Sequence, residues 1–310
     1  MTGRARARRP LLRYTIRMAR PAARLEENAP GPFFVDESCI DCDACRQLAP
    51  ATFARSRRHG RSVVVAQPGD AAGERRALMA LVACPTASIG TTAKRGARAA
   101  ADAFPEWIED DVHECGWRSA ASYGAASYLL VRPRGNVLVD SPRAARPLLE
   151  RLDALGGVRT LVLTHRDDVA DHAVLAARYG CERVMHEDDA GGVPIERRIA
   201  GAAPVALDDE LTAIPVPGHT RGSIALLHRE KFLFSGDHLW WDEDDERLDM
   251  GRGVCWWSWP EQVRSLGRLR RYRFEWVLPG HGRRWRAASP DAMRAAIEDT
   301  YVRLAGAGRG

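Results

Sequence analysis

"THRDDVADH", residues 164–172, begins at the last residue of the apolar run "TLVLT" and leads into "ADHAVLAARYG". A short apolar run reads as a buried strand, and apolar residues at helical spacing that stop at Gly180 read as a helix. The stretch is therefore a strand-end loop, and it carries His165, Asp167, Asp168, Asp171 and His172. Three later loops have the same character: "PGHT" with His219, "SGDH" with Asp237 and "PGHG" with His281. A lone loop histidine is ordinarily a hydrogen-bonding residue. Four such loops in series point instead to a metal site, because strand ends converge on one edge of a sheet and bring single ligands together.

Working outward, "ASYLLVRP" and "NVLVD" flank "RGN" as a hairpin, and "AARPLLERLDAL" has helical spacing. Strands follow at "LTAIPV", "SIALLH", "KFLFSG" and "WVLP", with helices at "PEQVRSLGRLRRY" and "DAMRAAIEDTYVRL". Sheet packed with helices outside it predicts an α+β fold.

The four loops make residues 111 to about 290 resemble the metallo-beta-lactamase superfamily, most strongly at His219, Asp237 and His281. That likeness implies an αββα four-layer sandwich. The superfamily's first loop usually reads H-x-H-x-D-H; here His165 and the pair Asp171-His172 fit, but the second histidine is absent and the loop is two residues longer. Carried over position by position, the resemblance implies that Asp171, His172 and His281 hold one metal, that His165 and His219 hold another, and that Asp237 bridges them. Asp167 or Asp168 would fill the gap. Strand conformation persisting to residue 167 would put Asp167 beside His165. Asp168 has an alternative use as a helix N-cap, whereas a helix starting there would set Asp168 and His172 on one face.

A second cluster lies nearer the N-terminus. "CIDCDAC" supplies Cys39, Cys42 and Cys45, and "VACPTASI" supplies Cys84 followed by proline. Three thiolates at intervals of three residues wrap one face of a cubane, and a remote fourth closes the cage. Structural zinc sites more often present two separated cysteine pairs. Clustered cysteines in a chain without a secretion signal also argue against a disulfide framework. Residues 32 to 92 resemble a bacterial-type ferredoxin with one cluster, which implies a single 4Fe-4S centre on Cys39, Cys42, Cys45 and Cys84. Cys115, Cys181 and Cys255 remain as ordinary thiols.

Four segments are thus expected: a basic, disordered tail at 1–31, a ferredoxin-like domain at 32–92, a linker at 93–110 and the metallo-beta-lactamase-type domain at 111–310. Eight arginines precede the first acid, Glu26, so the net charge of +5 belongs to the tail and the rest of the chain is mildly acidic. No nucleic-acid partner is expected, and Met18 is an alternative start. No run approaches the roughly 18 apolar residues of a membrane span, so no membrane association and a cytoplasmic location are expected.

The resemblance implies a metallohydrolase with one or two divalent ions, zinc, iron or manganese, acting through an activated water on a small-molecule ester, thioester, lactone or phosphodiester. Asp171 or Asp237 would orient that water. Carboxylate in place of imidazole shifts preference toward iron or manganese. The fused cluster suggests electron transfer or regulation, and with it a redox partner. An iron oxidoreductase fed by its own ferredoxin domain is the alternative, since flavo-diiron proteins resemble this plan and carry a carboxylate in the same loop. The ferredoxin part has six acids against seven arginines, a near balance that defines no docking charge for an external redox partner. Trp240, Trp241, Trp256, Trp257 and Trp259 would either wall an apolar substrate pocket or pack the sheet. At the domain junction, His113 and Cys115 would contact the cluster or line the metal pocket, and Ser122 and Tyr123 would face substrate.

Overall fold

A computed structural model describes residues 18–92 and 96–306. Two bodies follow one another along the chain. In the smaller, the strand Phe33–Val35 pairs antiparallel with Ile89–Thr91, and Phe53–Arg55 with Ser62–Val64. Helices Ala44–Leu48 and Ala71–Ala83 pack against these pairs. The longer helix is started by Asp70, whose carboxylate accepts from the Gly73 amide at 2.7 Å; an Asp at this position satisfies a donor the first turn leaves unpaired.

The larger body holds a seven-stranded and a six-stranded sheet face to face. The first sheet runs in the order Arg197–Ile199, Glu182–His186, Thr160–Val162, Val137–Val139, Tyr128–Leu130, Val112–Glu114 and Glu106–Glu109. The second runs Val205–Ala206, Leu211–Pro215, Ile224–His228, Phe232–Gly236, Trp276–Pro279 and Trp285–Arg286. Side chains alternate across each strand. Val137 and Val139 point between the sheets with Phe232, Phe234 and Leu278, while Leu138 points outward. Each fully buried phenylalanine there is worth about 1.5–3 kcal/mol relative to exposure.

The outer faces are covered by helices, Arg146–Ala154 and His172–Tyr179 through Leu148, Leu152 and Leu175 on one side. On the other side Trp259–Leu269 and Pro290–Gly306 cover the sheet through Val263, Leu266, Met293 and Ile297. The result is the four-layer α+β sandwich expected, and the helix His172–Tyr179 ends on left-handed Gly180 (φ 62°) as read.

Two expected boundaries are corrected. The tail ends before residue 31: the buried Asn28 accepts from the amides of Val35 and Val64, both at 3.0 Å, and donates to the carbonyls of Leu25 and Val35. Residues 1–17 lie outside the described residues. The stretch 96–110 is no loose linker either. Its helix Ala97–Asp102 buries Ala100 and Ala101 in the core of the smaller body, and Glu106–Glu109 is the edge strand of the large sheet. An Ala-rich sequence resembles a linker by composition, but alanine is also the best helix former. Among the described residues no helix is long and apolar enough to cross a membrane.

Candidate metal centre

The strands that precede the metal loops share a direction within each sheet. Val137–Val139 is parallel to Thr160–Val162, so Asp140 and His165 emerge at the same end. Leu211–Pro215 and Phe232–Gly236 are both antiparallel to Ile224–His228, and Trp276–Pro279 is parallel to Phe232–Gly236. His219, Asp237 and His281 therefore also leave one edge. The two edges are joined where the Ile224 amide donates to the Thr164 carbonyl at 2.8 Å and the Ala126 amide to the Gly280 carbonyl at 2.7 Å.

Two overlapping groups of donor atoms result, His165 with His219 and Asp237, and Asp168 with Asp237 and His281. His165 Nε2 and His219 Nε2 each lie 3.6 Å from Asp237 Oδ2. Asp167 Oδ2 is 3.4 Å from His219 Nε2, and His281 Nδ1 is 2.9 Å from Asp237 Oδ1. Asp168 is 1 % exposed, yet neither of its oxygens has a hydrogen-bond partner; His165 Nε2, His281 Nε2 and both nitrogens of His219 are likewise buried without one. Groups like these are costly to bury alone, and a cation bound among them would remove the cost. Gly280 makes room, since a Cβ there would sit 2.7 Å from Asp168 Oδ2 and 2.9 Å from Asp237 Oδ1.

Electrostatics agree with a cation-binding cluster. Burial pushes the His165 imidazole down to about 4, which keeps it neutral as a ligand must be. Burial also raises Asp168 well above the carboxylate range, with Asp237 adding repulsion. Burial alone would lower His281, but the carboxylate of Asp237 outweighs it and holds the ring up at about 10. A metal ion would replace that proton. Behind the ligands, Thr164 Oγ1 sits 3.0 Å from His165 Nδ1 and donates to Asp140, aiming Nε2 into the site. Asp189 accepts from the amides of Arg166 and Gly222 and the hydroxyl of Thr220, tying the first loop to the His219 loop.

Six of the expected ligands are thus brought together: His165, Asp167, Asp168, His219, Asp237 and His281. Asp171 and His172 are not. Asp171 Oδ2 accepts from the Ala144 amide at 2.8 Å, and His172 Nδ1 faces the Arg183 guanidinium at 3.3 Å on the outer helix. The helix begins at His172 rather than at Asp168, with Asp171 in the N-cap position, so the Asp-His pair is turned away and Asp168 takes its place. The strand does not persist to residue 167 either; it ends at Val162, and Asp167 reaches the site from a turn. Asp140, Thr164 and Asp189 were missed, although "NVLVD" already placed Asp140 at a strand end.

Around the opening, Trp256 is 62 % exposed with its ring 6.3 Å from that of His219, and Tyr123 is 57 % exposed at the same ring separation from His281. Trp257 is also exposed. Trp241 instead stacks on Trp285, Trp240 pairs in a small hairpin and Trp259 opens a helix, so packing claims those three. His113, Cys115 and Ser122 take no place among the grouped donor atoms; Cys115 and Ser122 are buried.

In the smaller body Cys39, Cys42, Cys45 and Cys84 line a single cavity, and all four are free thiols. The loop turns tightly because Asp41 (φ 59°) and Asp43 (φ 66°) adopt the left-handed conformation that Asp tolerates, and Arg46 binds both carboxylates. The Ser88 amide donates to Cys84 Sγ at 3.3 Å. Burial, with Cys84 alongside, pushes the Cys42 thiol up to about 12, a cost to its thiolate that a bound positive centre would offset.

Comparison with known proteins bears on each body. Residues 35–91 match the family described as the 4Fe-4S single cluster domain of Ferredoxin I. For the larger body, the solved structure of VMB-1 overlays with a TM-score of 0.51 at 16% identity, covering 66% of this chain and 96% of that one. BLEG-1, a B3 metallo-beta-lactamase, overlays at 0.49 with 15% identity over 62% of this chain and 99% of its own. The larger domain has the metallo-beta-lactamase fold. The chain is also similar in sequence to the hydroxyacylglutathione hydrolase of Anaeromyxobacter dehalogenans (strain 2CP-C), 38% identical over 37% of this chain and 46% of the relative. The enzyme of the same name from Synechococcus sp. (strain JA-2-3B'a(2-13)) is 34% identical over 46% of this chain and 57% of its own length. The chain thus spans about half the length of the curated relatives it matches.

Proposed function

We propose that the chain is a metal-dependent hydrolase of a small acyl substrate, with a ferredoxin-type 4Fe-4S domain seated beside its catalytic edge. The observation that carries this reading is the cluster of six histidine and aspartate side chains, of which His165, Asp168, His219 and His281 keep buried donor atoms without a hydrogen-bond partner, at the rim of a metallo-beta-lactamase fold. Bound divalent ions would lower the pKa of a water toward roughly 7 and polarise a substrate carbonyl or phosphoryl oxygen.

His165, His219 and Asp167 would hold one ion and Asp168 and His281 the other, with Asp237 within reach of both groups. Asp237 would also orient a water held there, a task Asp171 cannot share because its carboxylate is taken by the Ala144 amide. Asp140 and Thr164 fix the tautomer of His165. Trp256 and Tyr123 flank the entrance and hold the apolar part of the substrate. The relatives named hydroxyacylglutathione hydrolase make an acyl thioester the first substrate class to try, ahead of lactones and phosphodiesters.

A second reading has its own support. Two imidazoles and one carboxylate, as in His165, His219 and Asp237, also make the ligand set of non-haem Fe(II) sites, and three carboxylates among six ligands suit iron or manganese. An iron oxidoreductase would draw electrons from the adjacent cluster.

Anaerobic purification, elemental analysis and electron paramagnetic resonance, with a panel of thioester, lactone and phosphodiester substrates, test the two together. About four irons plus zinc or manganese, with hydrolysis lost on chelation, supports the hydrolase. A fifth iron with a mononuclear signal, or six irons with a second spin-coupled centre, and no hydrolysis of any panel member overturns it in favour of the oxidoreductase.

A further inference from the structure

The cysteine-bearing face of the ferredoxin domain lies against the metal-bearing edge of the larger domain. Gln47, on the helix that carries Cys45, donates through Nε2 to the carbonyl of Gly282 at 2.9 Å, one residue past His281. Its Oε1 accepts from Arg118 at 3.0 Å, and Arg118 donates through its other terminal nitrogen to the Gly124 carbonyl at 3.2 Å. Gly124, at φ 87°, is pressed onto the cage: a Cβ there would sit 2.6 Å from Cys42 Cβ and 2.9 Å from its Sγ. The preceding residue, Tyr123, donates to the Ile40 carbonyl at 2.6 Å while its ring approaches His281.

Arg118 is 2 % exposed. It is paired with Glu114 at 3.0 Å, and that carboxylate also takes Arg284 at 2.8 Å. Two guanidinium groups thus share one acid, leaving one positive charge of this trio uncompensated. Burying it is expensive, and an apolar side chain would fill the space without that cost. Neither the cage nor the metal ligands need Arg118 as a donor.

We propose that Arg118 is a positioning residue shared by the two centres, which couples the charge on the 4Fe-4S cluster to occupancy of the metal site beside His281. Charges near one another in a poorly polarisable seam interact far more strongly than in water, and the Gln47 link adds a mechanical tie to the His281 loop. Arg118 reaches the cage through the Gly124 carbonyl, pressed against Cys42, and the His281 loop through Gln47 and the Gly282 carbonyl. Linkage makes the effect reciprocal: if an added electron on the cluster changes metal affinity, bound metal changes the cluster potential to match. The proposal rests on both centres being loaded, as in the function proposed above.

The test uses the full chain with its cluster, iron and second metal counted on each sample. The cluster is titrated with dithionite, a one-electron donor, and followed by electron paramagnetic resonance with the second site loaded and after chelation. A tenfold difference in metal affinity between the oxidised and reduced cluster appears as a shift of about 59 mV for one electron. We expect a shift of about that size in the native chain and its loss in Arg118→Met, whose potential falls in both states because a buried cation has gone. Arg118→Lys keeps the charge and restores the potential. Gln47→Met leaves the potential of the stripped protein unchanged and reduces the metal-dependent shift, and it carries the test should Arg118→Met fail to fold. Identical potentials in loaded and stripped native protein, with metal counts confirming both states, overturn the coupling. A chain that retains four irons but takes up no second metal overturns the two-centre reading, and this proposal with it.

Discussion

The cysteine cage and the metal rim solve the same problem, holding cations with side chains, in opposite ways. Three of the four cage thiols lie within seven residues, so the backbone of one loop sets their geometry and the spacing alone identifies them. The rim draws six candidate ligands from four loops between residues 165 and 281, and what sets its geometry is the common direction of strands that never adjoin in sequence. A compact ligand set is legible residue by residue. A dispersed one is legible as a set, while the choice between neighbouring carboxylates passes to the fold.

The sharpest break of this contrast is Asp237→Ala. Because Asp237 belongs to both donor groups, the variant is expected to lose the non-cluster metals and about a hundred- to a thousandfold in hydrolysis, on the scale of lost electrostatic stabilisation of a transition state, while the visible absorption of the cluster stays. Loss of cluster iron as well would show that rim and cage do not form independently.

Next in size is the choice within the first loop. Asp168→Ala should cut metal retention against a chelator strongly, whereas Asp171→Ala should leave metal content unchanged and cost about 0.5–1.5 kcal/mol of stability, the worth of its bond to Ala144. Denaturant melts paired with metal analysis separate the two, and a metal-free Asp171→Ala protein would return that residue to the ligand set. Thr164→Val removes the hydroxyl that steers His165 and should weaken metal binding by about 10–100-fold, as read from competition with a chromophoric chelator; unchanged affinity would mean that His165 needs no steering.

The smallest effect belongs to the entrance. Trp256→Ala should raise KM about tenfold for acyl substrates with an apolar group, by loss of roughly 1.5 kcal/mol of contact, and leave kcat within twofold. A fall in kcat at constant KM would move Trp256 from the substrate wall to the chemistry.

The sandwich itself was readable, since strands such as Val137–Val139 and Phe232–Gly236 and helices such as Trp259–Leu269 follow apolar periods plainly. Short polar strands were not: Arg197–Ile199 and Glu106–Glu109 sit at the two ends of the first sheet, where solvent tolerates charge. Nothing in the sequence marks Arg118, which is buried and donates to Gln47, more than seventy residues earlier in the chain.

From residue types and spacing alone came the four cage cysteines, the strand-end loops and the histidines and aspartates able to bind a cation, because donor chemistry and local periodicity are properties of short segments. Which aspartates of "RDDVAD" face inward, and that the cage is pressed against the rim, were settled only in three dimensions. A loop's path depends on where its neighbours place their backbone amides: the Ala144 amide turns Asp171 aside, and close approach at Gly280 lets Asp168 in.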